Sequence, residues 1–206
     1  MIEAKVFHSI ISVPISLRAK PYEVHKRIWK AFVDLPENTP QPFTFRTIDV
    51  NPERGCFLVQ SKFVPEWRNV KDIVLLQPVT EHIFELNPGD SYLYRIIAAP
   101  LVKVINGRKT HSRHVALQSD ERIWDWFVER SVKSGIDVGK HACQFVPEKR
   151  NFRHPAHGGF SMTYVCFDGL LIVKDPDKLK HCLENGFSSK KAFGFGMLNL
   201  INPNQT

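Results

Sequence analysis

One arrangement of strand-like and helix-like segments occurs twice along this chain of 206 residues, once on each side of Pro100. In the first half, residues 3–12 alternate around Ala4, Val6 and Ile10, as a strand with one buried face does. Pro21 then opens a helix over residues 22–34, its missing N–H falling where no intrahelical partner exists. Residues 43–50 and 56–63 form a hairpin around Asn51-Pro52-Glu53-Arg54-Gly55, and residues 91–98, alternating through Tyr92, Tyr94 and Ile96, form a further strand. In the second half, Ser119 caps a helix over residues 120–133 whose apolar face is Ile123, Trp124, Phe127 and Val128. Strands follow at 141–146 and 161–173, the second turning at Asp168-Gly169. Asp175, Pro176 and Gly186 mark the cap, the opening and the end of another helix, and residues 195–200 make the last strand. The plan predicts an α+β chain of two tandem ferredoxin-like (RRM-like) βαββαβ domains, at residues 1–100 and 117–206, joined by a basic linker segment at 101–116.

The length suits two units of about 100 residues each, and a 43% hydrophobic content can fill their cores. No stretch approaches the roughly 20 apolar residues needed to span a bilayer. Met1-Ile2-Glu3-Ala4-Lys5 alternates and carries early charge, as a strand does and a signal peptide does not, so the cytoplasm is the expected location. Cys56, Cys143, Cys166 and Cys182 are far apart with no C-x-x-C pair, which predicts buried thiols and neither a zinc ribbon nor a thioredoxin-like site; no metal and no other cofactor is expected.

Lysine and arginine outnumber aspartate and glutamate by 28 to 21, and the excess is unevenly spread. Residues 99–119 contain no acid but do contain Lys103, Arg108, Lys109, Arg113, His111 and His114. Across residues 138–167 the only acid is Glu148, against Lys140, Lys149, Arg150 and Arg153 with His141, His154 and His157. A phosphate backbone is the partner that suits such clusters. Lys103, Arg108, Lys109, Arg113, Lys149, Arg150 and Arg153 are therefore the candidate nucleic-acid contacts, while an inert solvated basic face would carry the same composition.

The first helix carries the residues most suited to chemistry. Val24, Ile28 and Phe32 mark its buried stripe. Tyr22, His25 and Trp29 share one flank of that stripe, because spacings of three and four bring side chains together. Lys26, Arg27 and Lys30 add positive charge to the same element. Cutting RNA without a metal needs a base for the 2′-hydroxyl proton, an acid for the leaving 5′-oxygen and a cation for the charge on phosphorus. His25, Tyr22 and Lys30 can supply those parts, with Lys26 and Arg27 as phosphate contacts. The spacing also fits a structural histidine at a helix–sheet boundary.

His154-Pro155-Ala156-His157 reads as a basic loop, since the proline breaks any helix that would align two ligands and no carboxylate or cysteine completes a shell. Near the end, Gly186-Phe187-Ser188-Ser189-Lys190-Lys191-Ala192-Phe193-Gly194-Phe195-Gly196 could bring a ligand to the backbone beside Lys191, or simply connect a helix to a strand.

Three motifs together resemble the CasE (Cse) family, the CRISPR repeat endoribonucleases of type I-E Cascade. They are Pro-Tyr-Glu-x-His at residues 21–25, the run Val165-Cys166-Phe167-Asp168-Gly169-Leu170-Leu171-Ile172-Val173, and Lys191-x-x-Gly194-x-Gly196-Met197-Leu198-x-Leu200. The resemblance follows the order of elements over nearly the whole chain. It implies a tandem ferredoxin-like fold, a CRISPR repeat RNA hairpin and the other Cascade subunits as partners, and cleavage at the 3′ base of the hairpin. It also implies a 2′,3′-cyclic phosphate product and retention of the guide RNA. His25 matches the family's catalytic histidine, Tyr22 the tyrosine beside it in some members, and Lys26 and Lys30 basic positions on that helix. Where the family's glycine loop reads Gly-x-Gly-Pro, this chain has Gly186-Phe187-Ser188-Ser189, although Lys191 remains as an RNA contact. A non-catalytic subunit that caps an RNA hairpin is the alternative. A ferredoxin-like protein-interaction module that binds no nucleic acid is the third reading, which the segregated basic segments disfavour.

Overall fold

The computed structural model describes residues 1–49, 51–68, 70–105, 112–154 and 158–201. Among the described residues it is an α+β structure with two larger antiparallel sheets, a separate two-stranded hairpin and three α-helices.

The first sheet is built on β1 (Ile2–Pro14). On one side β1 pairs with β3 (Arg54–Ser61), which pairs with β2 (Phe43–Ile48). Its other edge is shared: β4 (Val74–Leu75) pairs at Ile11 and Ser12, and β5 (Thr80–Leu86) pairs along residues 2–8. A strand of 13 residues is long enough to carry both partners in tandem. Helix α1 (Pro21–Trp29) lays Val24 and Ile28 on Phe43, Phe45, Phe57 and Val59. It is shorter than the predicted 22–34. Lys30 caps it, the next turns tighten to i→i+3 bonds at Ala31 and Phe32, and Asp34 lies at φ 47°, a conformation no helix continues through.

The second sheet has the order β11-β6-β10-β9, from β6 (Ser91–Ala98), β9 (Ile136–His154), β10 (Gly158–Val173) and β11 (Leu198–Ile201). Helices α2 (Asp120–Lys133) and α3 (Pro176–Asn185) contribute Ile123, Phe127, Leu179 and Leu183 to its core. Both caps form as expected: Ser119 Oγ accepts from Arg122 N–H and Asp175 Oδ1 accepts from Lys178 N–H. On α2 it is Trp126 that is buried, whereas Trp124 and Val128 are only partly covered.

Strand β6 corrects the expected grouping. It belongs to the second sheet, where residues 91–98 register against β10 and residues 93–96 against β11, and not to the first. Alternation shows that a strand exists and which face is apolar, but not its neighbour. The turn at residues 87–90 decides this: Gly89 N–H donates to Val173 O and Val173 N–H donates to Asp90 O, each at 2.8 Å. Segment 101–116 is likewise no simple linker, since its described parts are β7 (Leu101–Ile105) and β8 (Ser112–Ala116), paired as a hairpin. Strand β10 runs straight through Asp168-Gly169, with a register shift between Gly169 and Leu171 in place of the predicted turn. Strands β9 and β10 also extend beyond the predicted 141–146 and 161–173, pairing out to His154 and Gly158 as one long ribbon. The last strand starts at Leu198, three residues later than expected.

The two sheets share an interior. Ala4, Val6, Phe84 and Leu86 of the first lie in one cluster with Tyr94, Phe127, Phe167 and Leu183 of the second. Gln60 Nε2 on β3 donates to Leu183 O on α3 at 2.8 Å, a hydrogen bond buried in that seam. All four cysteines are unpaired with one another; Cys56 and Cys182 are buried and Cys143 and Cys166 half-buried. Among the described residues no helix is long and apolar enough to cross a membrane.

Candidate active site

Proline at the first position and Glu23 in the first turn favour starting a helix at Pro21, and Lys26 and Arg27 in the last turn suit its other end. The 3.6-residue repeat then turns His25 toward the edge of the first sheet, where its ring centroid lies 5.4 Å from Phe43 and 6.3 Å from Phe45. Tyr22, one turn earlier, sits 6.1 Å away with 24° between the ring planes, and Trp29, one turn later, meets His25 edge-on at 6.5 Å. The expected flank of Tyr22, His25 and Trp29 is therefore present.

The imidazole is oriented by a residue the sequence did not single out. His25 Nε2 lies 3.0 Å from Gln41 Oε1, and Gln41 Nε2 donates to Phe43 O at 2.7 Å. Because the amide nitrogen is spent on a carbonyl, its oxygen faces the ring and can only accept, so the neutral imidazole carries its proton on Nε2. Nδ1 is buried and has no hydrogen-bond partner among the described residues. Gln41 stands in Pro40-Gln41-Pro42, where prolines on both sides hold the backbone extended. That rigidity was the available signal.

Burial lowers the His25 pKa most; the Gln41 bond opposes it, and the Lys191 charge lowers it further. The ring is thus held neutral at physiological pH, the protonation state of a base. Lys191 reaches the site on a short 3-10 turn, residues Lys191–Phe193, that packs against α1. Its Nζ donates to Asn185 O at the end of α3 (2.8 Å), and burial lowers its pKa as well. The glycines around it let the chain approach itself. A Cβ on Gly196, at φ 85°, would lie 2.9 Å from Ser188 O, and one on Gly186, at φ 88°, would lie 2.8 Å from Thr44 Cγ2. Ser188 is buried against this turn.

The other basic residues divide. Lys26 is exposed and pairs with Glu23 at 2.7 Å, its ammonium 5.4 Å from the Tyr22 ring centroid. Arg27 is held between Glu23 (3.6 Å) and Asp72 (3.4 Å), so two carboxylates already face its guanidinium. Lys30 is exposed at the C-cap of α1. Lys103 is exposed on β7 opposite His114, and Lys149 is exposed on β9 opposite Thr163. Arg113, Arg150 and Arg153 lie on β8 and β9, while Arg108, Lys109 and His111 fall outside the described residues, as do Pro155, Ala156 and His157. Among the described residues no cluster of three or more His, Cys, Asp or Glu could hold a metal.

The two basic arms, β7–β8 and the outer part of β9–β10, share a root. Leu101, Phe152, Phe160, Met162 and Tyr164 pack there with Phe193 and Phe195. Phe193 also lies 6.4 Å from Tyr22. The arms, the Lys191 turn and the His25 flank therefore converge on one side of the molecule.

A protein-family model described as "CRISPR associated protein" matches residues 10–202. The CRISPR system Cascade subunit CasE of Escherichia coli (strain K12) is 24% identical over 188 residues, covering 87% of this chain and 90% of that protein. The CRISPR-associated endoribonuclease Cse3 of Thermus thermophilus is 26% identical over 198 residues, covering 88% and 90%. The solved structure of CRISPR endoribonuclease Cse3 bound to a 19-nt RNA shares this fold, with a TM-score of 0.79 at 22% identity over 95% of this chain and 99% of that one. With a match that spans nearly its whole length, the chain belongs to the CRISPR-associated protein family, on the CasE/Cse3 side of it.

Proposed function

We propose that this protein is a metal-independent endoribonuclease that cuts CRISPR precursor RNA at the 3′ base of the repeat hairpin and keeps the mature guide RNA within a Cascade complex. The observation that carries the reading is the placement of His25, neutral and tethered by Gln41, beside Tyr22 at the point where two basic arms converge. Both similar relatives named above are CRISPR proteins, one named a Cascade subunit and one an endoribonuclease. The strand orders β2-β3-β1-β4 and β11-β6-β10-β9 support reading the halves as tandem ferredoxin-like units, the first with no second helix among the described residues between β3 and β4.

In this reading the 2′-oxygen attacks phosphorus, the bond from phosphorus to the 5′-oxygen breaks, and a 2′,3′-cyclic phosphate forms. His25 takes the 2′-hydroxyl proton, a water molecule protonates the departing 5′-oxygen and recovers its proton from the imidazolium, and Tyr22 orients the nucleophile or the ring. Lys30, together with Lys191, whose charge is felt at the His25 ring, offsets charge on the equatorial oxygens. Lys103 and Lys149, with Arg108, Lys109, Arg113, Arg150, Arg153, Lys26 and Arg27, hold the stem backbone.

A second reading, a hairpin-binding subunit that does not cut, is favoured by one observation: Nε2 is engaged by Gln41 and Nδ1 is enclosed. Proton transfer requires the ring to exchange one of those environments for the RNA. Incubating the cognate repeat hairpin with the protein in excess EDTA separates the readings. The enzyme yields a 5′-hydroxyl fragment and a cyclic phosphate, whereas intact RNA in a stable complex supports the second reading.

A further inference from the structure

Beyond the His25 flank lies a groove between residues 15–19 and the ribbon β9–β10. Ala19, Asn151, Phe160 and Ser161 help enclose about 370 Å³. Through Ala19 and Asn151 it continues into a depression of about 380 Å³ that has Arg18 and Asp49 at its mouth. The paired bases of a duplex present only their edges and are stacked away from such a recess, whereas an unpaired base can swing out and lie flat on an aromatic ring.

The lining fits one nucleotide. Phe160 is partly exposed and is braced edge-on by Phe193 at 5.5 Å, so its ring offers a fixed stacking face. Asn151 and Ser161, both exposed at the rim, carry a donor and an acceptor for a base edge. Arg18 is held by Asp49 at 2.7 Å, which fixes its guanidinium at the mouth but also places a carboxylate there. The groove is continuous with the candidate centre: Phe193 connects Phe160 to Tyr22, and Tyr22 stacks beside His25.

We propose that this groove is a subsite for one unpaired nucleotide of the strand flanking the scissile phosphate, its base stacked on Phe160 and its edge met by Asn151. The inference rests on the endoribonuclease reading and adds to it a source of substrate selection outside the hairpin.

The test uses the full-length protein and the repeat hairpin of its own array, with 2′-deoxy at the scissile position to block cutting. 2-Aminopurine is placed at each flanking nucleotide in turn, and a second RNA is trimmed to the bare hairpin. Wild-type protein is expected to quench one flanking position. Phe160→Leu, which keeps an apolar side chain at the root of the arms but removes the flat ring, should relieve that quenching and weaken the flanked RNA by about tenfold, in line with the loss of one base stack, while binding the trimmed RNA like wild type. Asn151→Ala, at an exposed position, should also weaken only the flanked RNA. Equal losses on flanked and trimmed RNA would make Phe160 a packing residue and overturn the subsite. So would the absence of any quenched position in a protein that binds and cuts the unblocked hairpin, an outcome that leaves the enzyme reading intact. Failure of wild-type protein to bind the hairpin at all would remove both.

Discussion

His25 and Gln41 form a hydrogen bond whose direction is fixed by a third group: Gln41 gives its amide protons to Phe43 O and therefore turns its oxygen, 3.0 Å away, to the imidazole. The bond favours the protonated ring, while burial and the Lys191 charge favour the neutral one. These opposing influences make two substitutions shift the same titration in opposite directions.

A base must be neutral, so the acid limb of single-turnover cleavage follows the His25 pKa in the complex. Gln41→Leu removes the contact that favours protonation, and the limb should move to lower pH. Lys191→Gln removes a positive charge but keeps a donor for Asn185 O, and the limb should move to higher pH. Rate–pH profiles of the two variants check the signs. Shifts in the same direction would mean that these residues do not act on the imidazole.

The basic arms give a salt prediction. Lys103→Ala and Lys149→Ala remove exposed charges on separate hairpins. Each should lower the slope of log affinity against log salt by about 0.7–0.9 for one lost phosphate contact. Arg27→Ala should change the slope less, since Glu23 and Asp72 already face that guanidinium. Titrations at several salt concentrations measure this, and an unchanged slope for both lysine variants would place the RNA elsewhere.

Stability should fall in mild acid because of His8. Its Nε2 lies 2.9 Å from Gln60 Oε1, its ring is 4.3 Å from His82, and burial, with His82 and Arg46 nearby, lowers its pKa from 6.5 to about 4. The folded state keeps this ring neutral while the unfolded chain protonates it. The contribution is therefore complete above pH 6.5, declines as pH falls below 6.5, and levels off below about 4. A span of 2.5 units corresponds to about 3 kcal/mol. Urea unfolding of His8→Gln should show a pH dependence over this window that is smaller by that amount. A dependence equal to wild type would mean that His8 does not carry it.

Local signals gave the sequence reading its accuracy. Capping and periodicity located α2 at residues 120–133, and the 3.6-residue repeat put Tyr22, His25 and Trp29 on one flank. Relations between distant segments were not legible in the same way. Nothing in the alternation of residues 91–98 says that Leu93 pairs with Leu170 and Ile201 instead of the first sheet. Gln41 is 16 residues from His25, and an amide in a proline-flanked segment carries no periodic signature. Arg27 read as an available cation because Asp72, 45 residues away, is brought to it only by the fold. The glycines near the end suggested an open backbone, yet Gly196 is closed over by Ser188.

The measurement that bears most directly on the central claim is single-turnover cleavage by His25→Ala at saturating protein, with affinity determined separately on a hairpin carrying 2′-deoxy at the scissile position. Proton transfer by one imidazole is worth about 10²–10⁴-fold, or roughly 3–5 kcal/mol, whereas affinity is spread over many phosphate contacts. The expected result is a rate lower by that factor with affinity close to wild type. A His25→Ala protein that cuts at a near wild-type rate would contradict the assignment.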